Sequence, residues 1–140
     1  ETSIGLDRMF LTVLSHSFQE EQLENGESRV VLKIPAILSP IKAAILPLTK
    51  KDGMPEKARE IMKMLQIDFN CQYEEKDSIG KRYRRQDAIG TSFCITIDHQ
   101  TLEDNTVTLR DRDTMEQERV SIEKLHSIIA EKVNISKYLI

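Results

Sequence analysis

Apolar positions fall along this chain in two rhythms, one helical and one alternating. In residues 4–18, IGLDRMFLTVLSHSF, the positions Leu6, Met9, Phe10, Val13, Leu14 and Phe18 follow the i, i+3, i+4, i+7 spacing of a helix packed on something apolar. The next stretch, QEEQLENGESR at 19–29, is polar, carries Gly26 and shows no period. It reads as a linker, dividing the chain into the end of a preceding domain at 1–28 and a second domain at 29–140.

From Arg29 onward helix and strand signals alternate. KIPAILSPIKAAILPL holds three prolines, so only the part after Pro40 predicts a clean buried strand. GMPEKAREIMKMLQI places Pro55 near a first turn and lines up Met54, Ala58, Ile61, Met62 and Leu65, a helix. DFNCQYE alternates Phe69, Cys71 and Tyr73 as a strand, and SIGKRYRRQDAIG reads as a helix opened by Ser78 and closed by Gly90. SFCITID and TVTLRDR are strands, DRDTM is a turn, and EQERV returns as a short strand. SIEKLHSIIAEKV, capped by Ser121, closes the order with Ile122, Leu125, Ile129 and Val133 on one helical stripe. The order β-α-β-α-β-β-β-α predicts an α/β fold: a mixed sheet of about five strands with flanking helices, parallel first and antiparallel later, preceded by one separate helix.

Composition narrows this little. A chain of 140 residues with 39% hydrophobic positions suits one packed core, and no apolar run approaches the roughly 18 residues of a membrane span. ETSIGLDRMF has neither an initiator Met nor a basic region before an apolar one, so the chain is expected to be a fragment of a longer protein without a signal peptide. Cys71 and Cys94 fit no metal spacing and read as buried thiols in a reducing cytoplasm. His16, His99 and His126 have no partner at ligand spacing, so no metal site is expected. GxGxxG and the P-loop motif are absent, and no catalytic constellation stands out in 29–140.

Charge does change the picture. The chain carries a formal net charge of −3, yet Lys81, Arg82, Arg84 and Arg85 crowd five positions. Cations near the start of a helix oppose its macrodipole, so helix stability does not account for the cluster. Guanidiniums match phosphates and base edges, while a solvated helix face is an equal alternative. In TVTLRDRD, Thr106, Thr108, Arg110 and Arg112 share the parity opposite to Val107 and Leu109, and Asp98, at the end of the preceding strand, has the parity opposite to Ile95 and Ile97. Arginines beside a carboxylate on an open sheet face suit base-edge readout, because a carboxylate accepts from cytosine N4. The other reading is an Arg–Asp ladder at a sheet edge. At the N-terminus, Glu1 can bind an ammonium, Ser3 orient it, Arg8 neutralise a polyphosphate, and Gly5 admit a ligand close to the backbone.

ETSIGLDR resembles motif 3 of class II aminoacyl-tRNA synthetases, in the E-P-S-x-G-x-(D/G)-R form of the glycyl-tRNA synthetase family, with Thr2 where Pro is frequent. Residues 36–132 resemble that family's C-terminal anticodon-binding domain through KAAILPL, SIGKRYRRQDAIGTSFCITID and TVTLRDRDTMEQERV. The resemblance implies a cytoplasmic, homodimeric parent ligase that joins glycine to tRNA(Gly) with ATP and Mg2+, and no role at DNA or membranes. It implies that Arg8 is catalytic and meets ATP with Gly5, and that Glu1 and Ser3 bind glycine. Motifs 1 and 2 are absent, so the fragment is expected to need no cofactor and to catalyse nothing alone. For the anticodon it implies Arg84, Arg110 and the segment from Asp98 to Glu103, with Arg82 and Arg112 as additions, reading C35 and C36. A non-enzymatic accessory domain of the same fold, or a structural α/β interaction domain, is the alternative.

Overall fold

The computed structural model describes residues 3–139. Helix α1 (Leu6–Ser17) begins after Gly5 and runs directly into strand β1 (Phe18–Gln22). The stretch read as a linker is a hairpin: β1 pairs antiparallel with β2 (Ser28–Leu32), in register from Phe18↔Leu32 to Gln22↔Ser28. Its turn rests on Gly26 at φ 80° and on the Asn25 side chain, whose Oδ1 accepts from the Glu27 N–H. The alternation is confined to β2, where Arg29 and Val31 are buried and Ser28 and Val30 are exposed. β1 lies almost wholly in solvent, so its polar composition masks the strand.

Beyond the proline-containing segment, which Lys42 ties down by donating to the carbonyls of Ala36, Ile37 and Ser39, the expected order holds. It runs β3 (Ala43–Pro47), α2 (Met54–Leu65), β4 (Cys71–Tyr73), α3 (Ile79–Ile89), β5 (Phe93–Ile97), α4 (His99–Asp104), β6 (Thr106–Asp111), β7 (Gln117–Ser121) and α5 (Ile122–Lys132). The sheet order is β4-β3-β5-β6-β7. β3 pairs parallel with β4 and β5, while β5–β6 and β6–β7 are antiparallel. The mixed five-stranded sheet is therefore as expected, with one addition. α4 is only six residues long, and no period announces it.

The two faces of the sheet differ in chemistry. One carries Ala43, Ile45, Ile95, Ile97, Val107 and Leu109 against Ala58, Ile61 and Leu65 of α2 and Leu125 and Ile129 of α5. Each such large side chain contributes about 1.5–3 kcal/mol on leaving water, so this face is the main core. The other face offers Ala44, Leu46 and Cys94 to Ile79 and Tyr83 of α3, and from there on it is polar. Burial pushes the Cys71 thiol up to about 11 and the Cys94 thiol up to about 12, which makes both poor nucleophiles at neutral pH. α1 is different again: Leu6, Met9 and Phe10 of its apolar stripe are exposed, and so is Leu11 beside them. Among the described residues, no helix is long and apolar enough to cross a membrane.

Candidate nucleic-acid interface

α3 turns an unusual set of side chains inward: Arg82, Gln86 and Asp87 are its buried residues. The cationic run is thus divided by the helix period, with each member meeting a different fate. Arg82, 2% exposed, donates from Nη1 to the carbonyls of Pro47 at 2.7 Å and Glu74 at 3.2 Å, holding the carboxyl ends of β3 and β4 together. Its Nε–H is buried without a partner. Arg85 lies on the surface between Glu74 and Asp77 and donates to the Lys76 carbonyl. Arg84, 38% exposed at its side chain, has among the described residues one long ion pair, 3.8 Å to Glu27. Lys81 is exposed beside it.

Arg84 and Lys81 border a cleft of about 420 Å3 whose walls include Gly80, Tyr83, Arg110 and Gln117. Its floor is built from pairs rather than single groups. Arg110 donates to both oxygens of Asp87, at 2.7 and 3.0 Å, and its guanidinium lies 4.8 Å from the centre of the Tyr83 ring. The Tyr83 hydroxyl is bonded to Thr96 Oγ1 at 2.6 Å, and burial raises its pKa. Asp87 also accepts from Arg29 at 3.1 Å, so the hairpin is fastened to the helix that walls the cleft. Arg112 lies outside the cleft, 3% exposed, with its guanidinium on the carbonyls of Gly90 and Ile34.

The parity reading of TVTLRDR holds, since Val107 and Leu109 are core and Arg110 faces α3. The face is not open at Arg110, however, and the carboxylate beside it is Asp87, not Asp98. Asp98 instead caps α4: its Oδ1 accepts from the Thr101 N–H at 3.0 Å, while the Asp98 N–H donates to Thr101 Oγ1 at 3.1 Å. Both Asp98 oxygens also accept from Arg119 of β7, at 2.5 and 2.9 Å. These bonds hold the Asp98 carboxyl below the usual range, Arg119 contributing most. The Arg–Asp ladder at a sheet edge is therefore present, between Asp98 and Arg119. Glu103 is exposed on α4.

Three residues of this network went unread in the sequence. Arg29 sits in an apparent linker, Asp87 in an apparent wet helix, and Arg119 in a strand of five residues without a period. Only Arg119 left a signal, since it shares a parity with Gln117 in EQERV. Pairing Thr108 with Arg119 puts it on the polar face.

At the N-terminal end, Arg8 and Ser3 are exposed and Gly5 precedes α1; Glu1 lies outside the described residues. Among the described residues, a Cβ added at Gly5 would meet only the Cβ of Arg8, at 3.9 Å. Among the described residues, no group of three or more His, Cys, Asp or Glu is placed to hold a metal ion.

Comparison with known proteins gives these features a context. The chain is 54% identical over 133 residues to the glycine--tRNA ligase of Clostridium tetani, and 47% identical over 133 residues to that of Borrelia hermsii. These alignments cover 95% of the chain but only 28% and 30% of the two ligases. In structure it is similar to the RNA binding domain of threonyl-tRNA synthetase from Cryptosporidium parvum, with a TM-score of 0.65 and 25% identity over 71% of this chain and 25% of that one. Residues 42–132, which carry the five-stranded sheet, all of the cleft's lining except Glu27, and the Asp98–Arg119 pair, match the family described as anticodon binding domain. This chain belongs to the anticodon binding domain family.

Proposed function

We propose that this chain reads the anticodon loop of tRNA(Gly) as the RNA-binding part of a glycine--tRNA ligase. The observation that carries the reading is the cleft beside α3, where Arg84 stands exposed next to Tyr83 and Arg110 within the family-matched residues. Single-stranded loops are read by splaying bases against side chains that stack and donate, and this cleft offers both. Arg84 meets phosphate or a base edge, and Arg110, held by Asp87 against the Tyr83 ring, forms the cationic wall the loop lies against. Asp98 and Glu103 supply acceptors for the N4 donors of C35 and C36. Arg82 and Arg112, buried on backbone carbonyls, support the cleft from behind.

In this reading residues 1–28 end the catalytic unit, and the exposed stripe of Leu6, Met9 and Phe10 packs on it. Glu1, Ser3, Gly5 and Arg8 would then belong to the glycine and ATP site. One exposed guanidinium does not by itself hold a triphosphate, so Arg8 would share ATP and Mg2+ with residues of the rest of the parent ligase, a cytoplasmic homodimer. Titrating labelled tRNA(Gly) anticodon stem-loop against the chain tests the reading. Salt-dependent binding that weakens on changing C35 or C36 is the expected result, and equal affinity for all loops would overturn it.

A further inference from the structure

The polar face of the sheet continues past the cleft, along a cross-strand row. Thr96 of β5 is paired with Thr108 of β6, and Thr108 with Arg119 of β7. Two strand spacings put Arg119 about 10 Å from Thr96, the residue that holds the Tyr83 hydroxyl.

Arg119 has five N–H donors, and each has an acceptor. Nε donates to Thr106 Oγ1 at 2.6 Å; Nη1 donates to Asp98 Oδ2 at 2.5 Å and Thr108 Oγ1 at 3.2 Å. Nη2 donates to Asp98 Oδ1 at 2.9 Å and the Thr106 carbonyl at 3.1 Å. The edges of the guanidinium are therefore filled, yet the side chain stays 26% exposed. With every edge donor engaged, what the side chain has left to offer a ligand is its flat face and stem, with its charge matched by Asp98. A fixed guanidinium plane without vacant donors cannot read a base edge, but it can carry a base stacked on it.

We propose that Arg119 is a stacking platform for one splayed base of the RNA loop. The inference rests on the RNA-reading role proposed above and adds a position about two strands beyond the cleft. Asp98 is then in part a positioning residue, because it fixes the tilt of the platform.

The test uses tRNA(Gly) anticodon stem-loops, intact or abasic at one loop position each, titrated against the chain and against Arg119→Lys. Lysine keeps the charge near Asp98 but has no plane. One position should bind wild type about tenfold more weakly when abasic, and in R119K that penalty should shrink to under about twofold. Each ratio compares two RNAs on one protein, so a lower folded fraction in the variant cancels. Penalties that R119K leaves unchanged at every position, or no penalty in wild type at any, overturn the platform and leave the RNA-reading role standing. A wild-type chain that binds the intact loop no better than a loop-free duplex overturns the role, and the platform with it.

Discussion

The carboxylate of Asp87 holds the guanidinium of Arg110 through two parallel bonds, Nη1 to Oδ1 at 2.7 Å and Nη2 to Oδ2 at 3.0 Å, and both side chains are buried. Burial works against the Arg110 cation, and Asp87 outweighs it, so the pKa of Arg110 lies above its ordinary value. The same carboxylate accepts from Arg29, which reaches it from the hairpin. Arg29 also donates from Nε to Glu21 at 2.7 Å, so of the two cations it is Arg110 that depends on Asp87. Asp87→Ala should cost about 3–5 kcal/mol, because it strands the buried Arg110 guanidinium without an anion and removes one of the partners of Arg29. That is a large share of the roughly 5–15 kcal/mol that holds a domain folded. Urea unfolding at neutral pH measures it, and a loss below about 1 kcal/mol would show that water reaches the pair.

Gly90 closes α3 at φ 82°, and its carbonyl accepts from Ser39 and Arg112. A Cβ there would lie 3.0 Å from Ile34 Cγ2 and 3.1 Å from the Leu32 carbonyl oxygen. Gly53, at φ 79°, has open space in the same direction. Both alanine variants carry the left-handed strain of about 1 kcal/mol, but only Gly90→Ala also drives backbone apart. Thermal melts should therefore place Gly90→Ala about 2–3 kcal/mol below wild type and Gly53→Ala about 1 kcal/mol below. Equal losses would remove the steric part of the account.

How far the sequence reached follows from these same residues. The five strands, their faces and the helices α2, α3 and α5 were legible, because Ile95, Leu109, Ile61 and Leu125 recur at the period of their own element. The hairpin was not, since β1 has little to bury and exposes both faces to water. α4 rests on one capping box and is too short to show a period. At the site, charge density located α3 but could not assign partners. Asp87 lies 23 residues from Arg110 and 58 from Arg29, and nothing local to any of the three announces the others. The pairing of Arg110 with Asp98 failed for a related reason. Parity gives the face of a strand, not what is packed against it.

Asp98 connects stability to pH. Its carboxyl is held below its ordinary value of 3.8, mainly by the hydrogen bonds from Arg119 and also by those from Thr101. A depressed folded-state pKa contributes stability that is complete above the unfolded value and is lost as pH falls through the folded one. Asp98→Asn keeps a good helix cap but removes this titration. Wild type should lead the variant by roughly 0.5–1 kcal/mol near neutral pH, and that lead should close below the ordinary carboxylate pKa. Urea midpoints for both proteins across the acid range check this, and a lead that stays constant down to the acid limit would rule out the mechanism.

Arg82 and Arg84 lie two positions apart on one helix and should separate structure from recognition. Arg82 holds carbonyls at the ends of β3 and β4 and is 2% exposed. Arg84 has among the described residues one ion pair, at 3.8 Å, and an open cleft beside it. Arg82→Met should destabilise the fold by roughly 2–3 kcal/mol, because buried carbonyls lose a charged donor. At temperatures where it stays folded, its dependence of RNA affinity on salt should match wild type. Arg84→Ala should leave stability within about 0.5 kcal/mol. Because a contact to a single-stranded phosphate releases condensed counterions, it should also lower the slope of log affinity against log salt by about 0.7. Stem-loop titrations at three salt concentrations decide between them. The reverse pattern, a changed slope in Arg82→Met and none in Arg84→Ala, would move the RNA from the cleft to the ends of the parallel strands, where Arg82 sits.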